Sequence, residues 1–185
     1  MTLWLVRHAT PLVEPGICYG RQDVEADGGA TAECAQALAE ILPAHIRIIS
    51  SPLQRCEQLA KALCGLQPDL TYKTDPRLQE MDFGAWEGRA WPDIAPAELQ
   101  AWTDSFAHHA VGGHGESTMQ VMARVAAAFD ELQASTDTLW ITHAGVIRAA
   151  ELIARGQRQI TKAADWPVHA PTYGQWCKLD LQARS

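Results

Sequence analysis

The chain has no apolar run approaching the roughly 20 residues that cross a bilayer, so no membrane-spanning segment is expected. It has no cluster of Lys or Arg either. Its 15 basic residues are outnumbered by 22 acidic ones, a formal charge of -7, which argues against nucleic acid and anionic membrane as partners, since both are held through basic patches. Cysteine is sparse: five residues, scattered and without CxxC spacing, support neither a disulfide framework nor a zinc cluster. The opening MTLWLVRHAT lacks the basic and long apolar regions of a secretory signal, so a cytoplasmic location is expected. Repeats, low-complexity tracts and linkers are missing too. What remains is a composition 47% hydrophobic and 20% charged, suited to a single domain, residues 1–185, with a sizeable core. An acidic chain can still hold a small anion if it gathers its few arginines in one pocket.

Leu3 to Val6 is a short apolar run that reads as a buried strand, and it ends in Arg7-His8. Gly28 to Leu42 carries Ala35, Leu38, Ala39 and Leu42 at helical spacing, with Pro43 as a stop, and Ile46 to Ile49 reads as a second strand. Ser51-Pro52-Leu53-Gln54 predicts a helix start, with Ser51 as cap, Pro52 in the first turn and Gln54 completing a capping box. That helix would bury Leu53, Cys56, Ala60 and Leu63 and end before Gly65. Leu70 to Thr74 is a weaker strand. From Leu78 to about Gly115, Trp, Pro, Gly and His follow in irregular order, and residues 81–115 are expected to form an insertion over the sheet. Thr118 to Gln133 then has helical spacing, Leu139 to Thr142 is a buried strand ending at His143, Gly145 to Arg155 is a helix closed by Gly156, and Gln175 to Leu181 is a last strand. Strands alternating with helices predict a three-layer α/β/α sandwich with a mainly parallel sheet, whose sites form beyond the strands' carboxyl ends.

Two of these strands, far apart in the chain, end in a histidine. In a parallel sheet their ends can be neighbours. Arg55, on the first turn of the helix after Ser51, can face the same crevice with the positive end of that helix. Two imidazoles and two guanidiniums around one pocket make an oxyanion site, most naturally for phosphate.

Five segments carry a resemblance. Arg7-His8 after the first strand, Ser-Ser-Pro-Leu-Gln-Arg-Cys (50–56), Leu-Gln-Glu-Met-Asp-Phe-Gly-Ala-Trp-Glu-Gly (78–88), Gly-Glu-Ser (115–117) and Thr-His-Ala-Gly (142–145) occur in the order seen in the histidine phosphatase superfamily, the phosphoglycerate mutase-like proteins, which the chain resembles over nearly its whole length. The resemblance implies that His8 is a nucleophile forming a phosphohistidine, attacking as neutral imidazole. Arg7 and Arg55 would grip the equatorial oxygens and a protonated His143 would add a donor. Their charge would do the work of a metal, so neither metal nor other cofactor is expected. Glu80 matches the family's general acid; a carboxylate beside a bound dianion holds its proton more tightly, so it can protonate the departing alkoxide and later deprotonate water. Thr10, Gly20, Arg21 and Ala144 are expected to contact substrate, Gly20 by letting backbone N–H groups approach the phosphate. The tetrad Arg7-His8-Ala9-Thr10 departs from the family's frequent Arg-His-Gly-Glu, and Glu14 lies near the place of a frequent asparagine.

The implied function is a phosphomonoesterase acting on a small phosphorylated metabolite. Cys-Tyr-Gly-Arg-Gln-Asp-Val (18–24) and Gly-Gln-Trp-Cys-Lys-Leu-Asp-Leu (174–181) most resemble the alpha-ribazole phosphatase branch, of cobalamin synthesis. The alternatives are a phosphoglycerate mutase-type phosphotransferase and, from another class, a non-catalytic phospholigand-binding module. His108, His109 and His114 read as a polar loop rather than a metal site. Trp4 and Trp140 are expected in the core, whereas Trp86, Trp91 and Trp102 are either packing or pocket wall. The oligomeric state stays open, a homodimer included.

Overall fold

The computed structural model describes residues 1–181, so residues 182–185 of the expected single domain lie outside the described residues. Five strands, β1 (Thr2–Arg7), β2 (Arg47–Ser50), β3 (Tyr72–Thr74), β4 (Thr138–Thr142) and β5 (Trp176–Asp180), form one sheet in the order β3-β2-β4-β1-β5. The first four are parallel and β5 is an antiparallel edge. Side chains alternate across a strand, so β1 feeds two cores. Leu3 and Leu5 pack with Trp140 and with helices α4 (Thr118–Asp130) and α5 (Ala144–Ala154) on one face. Trp4 and Val6 pack with Leu139 and Ile141 and with α1 (Gly28–Ile41) and α2 (Gln54–Leu66) on the other. Each such side chain contributes roughly 1.5–3 kcal/mol on burial, against about 0–1 for an exposed ion pair, so the two apolar faces set the layering. The result is the expected three-layer α/β/α sandwich.

Three elements differ from the sequence reading. The helix after Ser51 begins only at Gln54, and Leu53 at its N-cap position makes no side-chain bond. The cap comes from elsewhere: Asp23 Oδ1 accepts the Gln54 N–H at 2.7 Å, while the Ser51 Oγ accepts the Leu53 N–H at 3.3 Å, before the helix begins. Gly65 lies inside α2 instead of beyond it. Within 81–115 a helix, α3 (Pro96–Asp104), with Pro96 in its first turn, interrupts a series of 3-10 turns. This segment is packed, not draped: Trp86, Ile94, Phe106 and Val111 are buried against α4 and α5. The α4 helix opens on the capping box of Ser117 and Gln120 but stops at Asp130, short of Gln133. Among the described residues no helix is long and apolar enough to cross a membrane.

Candidate active site

The register of the sheet brings the site together. β1 and β4 pair directly, Arg7 opposite Thr142, and the His8 N–H bonds the Thr142 carbonyl at 3.1 Å. On the other side of β4 the Ser51 N–H bonds the Ile141 carbonyl at 2.9 Å. His143 therefore stands between His8, from β1, and Ser51, from β2.

The His8 and His143 ring centroids lie 5.1 Å apart. His8 is 2% exposed, and its Nδ1 lies 2.7 Å from the Ala9 carbonyl oxygen. A carbonyl can only accept, so Nδ1 carries the proton and Nε2 keeps its lone pair. Burial chiefly, then the charge of Arg55 and less so of Arg7, pushes the ring down to about 3 despite the opposing pull of the Ala9 bond. His143 is fully buried, with Nε2 2.8 Å from the Ser51 Oγ. Burial, then Arg55, His8, Arg124 and Arg7, hold it well below the usual histidine range. Burial and the surrounding positive charge both favour the neutral ring at His143, opposite to the protonated form expected from sequence.

Arg55 is buried, donating from Nη1 to the Gln22 carbonyl at 2.7 Å and from Nη2 to that of Gly20 at 2.6 Å. Arg7 donates to the Pro171 carbonyl at 3.2 Å, and its guanidinium lies 3.9 Å from the Tyr173 ring centre. Tyr19 lies beside Arg55, its ring centre 5.2 Å away, and its hydroxyl meets that of Tyr173 at 2.7 Å. The Tyr173 ring is also 5.5 Å from that of His8. Among the described residues, Arg7 Nε, Arg55 Nε and His143 Nδ1 are buried without a hydrogen-bond partner. Orphaned buried donors around one histidine suit an oxyanion, because each such group otherwise costs about 1–3 kcal/mol.

Glu80 stands at the head of α5. Its Oε2 accepts the Gly145 N–H at 3.1 Å and its Oε1 the Met81 N–H at 3.0 Å. A Cβ at Gly145 would overlap this carboxylate, which accounts for the glycine. Beyond Glu80 opens a cavity of about 420 Å³ with Phe83, Trp91, Trp102, Phe106, Trp166 and Arg148 in its wall. Trp91 and Trp102 thus line a pocket, whereas Trp86 is core and its indole N–H bonds Glu98 at 2.6 Å. Trp4 and Trp140 are buried in the sheet as expected.

The remaining candidates are placed differently. Gly20 presents its carbonyl to Arg55, and a Cβ there would run into the Met81 carbonyl, the Phe83 ring and the Glu87 carboxylate, so close packing accounts for this glycine. Arg21 is exposed and tied to Gln79 at 3.2 Å and Asp82 at 3.5 Å. Thr10 is exposed beside a groove with Glu33 and Trp176, and its hydroxyl makes no hydrogen bond to the cluster among the described residues. Ala144 is the buried first residue of α5, next to His143. Sequence marks none of Ser51, Tyr173 and Arg124 as a site residue: Ser51 reads as a helix cap, and nothing periodic marks Tyr173. Among the described residues no three His, Cys, Asp or Glu side chains gather as a metal-binding set.

Two imidazoles and two guanidiniums thus lie at the carboxyl ends of the parallel strands of an α/β protein, an arrangement suited to an oxyanion. The chain belongs to the histidine phosphatase superfamily (branch 1), whose family model matches residues 3–183. It is 37% identical over 105 residues to a probable phosphoglycerate mutase, GpmB, of Yersinia pestis (strain Pestoides F), a match covering 52% of this chain and 46% of that relative, so the chain matches less than half of that relative's length. Among solved structures, TTHB049 from Thermus thermophilus is 29% identical with a TM-score of 0.73, over 97% of this chain and 94% of that one. A mycobacterial glucosyl-3-phosphoglycerate phosphatase in complex with VO3 is 27% identical with a TM-score of 0.80, over 97% and 92%.

Proposed function

We propose that the protein is a metal-independent phosphomonoesterase working through a phosphohistidine. The observation that carries this is the tautomer of His8 set by the Ala9 carbonyl, which leaves the Nε2 lone pair free in a site where the Nε–H donors of Arg7 and Arg55 have no partner. In the first step Nε2 attacks phosphorus, the ester P–O bond breaks and Glu80 gives its proton to the leaving oxygen. In the second, Glu80 takes a proton from water as its oxygen attacks phosphorus, the N–P bond breaks, and inorganic phosphate leaves. Arg7 and Arg55 neutralise the equatorial oxygens. The bound dianion brings negative charge to a pocket lined by cations, which favours a proton on His143.

The test is a phosphoryl adduct on the peptide bearing residue 8, detected by mass after an alkaline quench from p-nitrophenyl phosphate. His8→Ala should form none, and an adduct persisting in that variant would overturn the mechanism. Glu80→Gln should still form it, but slow alkyl-ester turnover by about 100- to 10,000-fold.

The finer reading is alpha-ribazole 5′-phosphate as substrate. It is supported by the likeness at 18–24 and 174–181 and by the aromatic cavity beyond Glu80, which suits a flat heterocycle better than a small, carboxylated glycerate. A panel of alpha-ribazole phosphate, phosphoglycerates and sugar phosphates tests it. Wild type should prefer the first, and Trp102→Ala should raise KM for that ester while leaving glycerol 2-phosphate unchanged. Transfer of the phosphoryl group to phosphoglycerate instead of water would favour a mutase.

A further inference from the structure

The Gly-Glu-Ser segment at 115–117 has no part in the chemistry above, yet it grips the chain at Asp82, two residues after Glu80. Glu116 lies just before α4, and its N–H bonds the Asp82 carbonyl at 2.8 Å while its Oε2 accepts the Asp82 N–H at 3.0 Å. Two turns into α4, Arg124 meets the same carboxylate with two prongs, Nε to Oε1 at 2.8 Å and Nη2 to Oε2 at 2.9 Å. The rest of the guanidinium goes to main-chain carbonyls: Nη1 to Arg77 and Gln79, each at 2.7 Å, and Nη2 to Glu80 itself at 3.2 Å. All five N–H groups of the arginine are thereby engaged. The pair is largely buried, with side-chain exposures of 17% and 18%. The backbone just before Glu80 is held by Arg124 and the backbone just after it by Glu116.

We infer that Arg124, oriented by Glu116, is a positioning residue that fixes the main chain on both sides of Glu80 so that the carboxyl reaches the leaving oxygen. This rests on the reading of Glu80 as general acid. A lysine cannot stand in, because its ammonium has three N–H groups and no planar fork. A displaced acid has a distinctive kinetic signature. An alkoxide needs a proton to depart and p-nitrophenolate does not, so misplacing Glu80 should cost activity only on the poor leaving group.

The experiment measures kcat/KM, which reports steps up to phosphoenzyme formation, on glycerol 2-phosphate and p-nitrophenyl phosphate. Arg124→Lys should lose about 10- to 100-fold on the first, within the range general acid catalysis supplies, and less than about 3-fold on the second. In a Glu80→Gln background it should cost nothing further. Equal losses on both esters, or an additive loss in that background, would reduce Arg124 to a plain structural tie and overturn the inference. Glu116→Gln, which keeps shape and an acceptor, should show the same leaving-group dependence more mildly and carries the test if Arg124→Lys fails to fold. If Glu80→Gln slows the alkyl ester while neither variant does, only this inference falls. If Glu80→Gln itself leaves the alkyl ester untouched, the general-acid reading falls and takes the inference with it.

Discussion

The resting charge of the two histidines carries a cost that pH reveals. His8 titrates at about 3 in the folded chain against 6.5 for an ordinary histidine. Between those values the unfolded chain binds a proton that the folded one refuses, so stability must fall as pH drops below about 6.5. At about pH 5 the share of His8 is roughly 2 kcal/mol as an upper bound, and His143 adds to it in the same direction. Urea midpoints should therefore decline from about pH 7.5 to about pH 5 in wild type, and His8→Asn should flatten part of that slope. An unchanged slope would mean that the ring is protonated in the folded protein. The identity of both histidines was legible because each follows an apolar strand, and so was the neutral ring of His8; the direction in which His143 is pushed was not, because it depends on burial beside Arg55, which no local pattern encodes.

Secondary elements were legible where one periodicity dominated. The runs 3–6 and 139–142 are short and apolar, as buried strands are, and α1, α4 and α5 each carry a buried apolar face. The start of α2 was misplaced because Ser51 and Pro52 satisfy a local rule that a distant residue overrides: Asp23 supplies the cap, and Ser51 turns to His143. Asp23→Ala should accordingly destabilise the protein by about 1 kcal/mol, and because α2 carries Arg55 it should also weaken vanadate binding. A variant with lowered thermal stability but unaltered vanadate affinity would separate the cap from the site. The helix α3 was hidden in a segment of mixed composition, where its nine residues bury too little of their own surface to print a stripe. The Tyr19 and Tyr173 contact joins positions 154 apart and leaves no trace in either neighbourhood.

For the whole molecule, the unpartnered donors predict a large response to an oxyanion. Vanadate at about 100 times its Kd should add about 2.7 kcal/mol of stability, a rise of roughly 5–10 °C in Tm for a chain of this size. Arg7→Met should remain folded yet lose most of that rise; calorimetry with and without vanadate decides. A further consequence follows from β4 lying between β1 and β2. His8 and His143 lie some 135 positions apart, and they meet only when the strand before the second has paired with both β1 and β2. Pairings this remote in sequence form slowly. Regain of turnover after dilution from denaturant should lag behind the return of helical signal, making turnover itself a reporter of the arrival of β4.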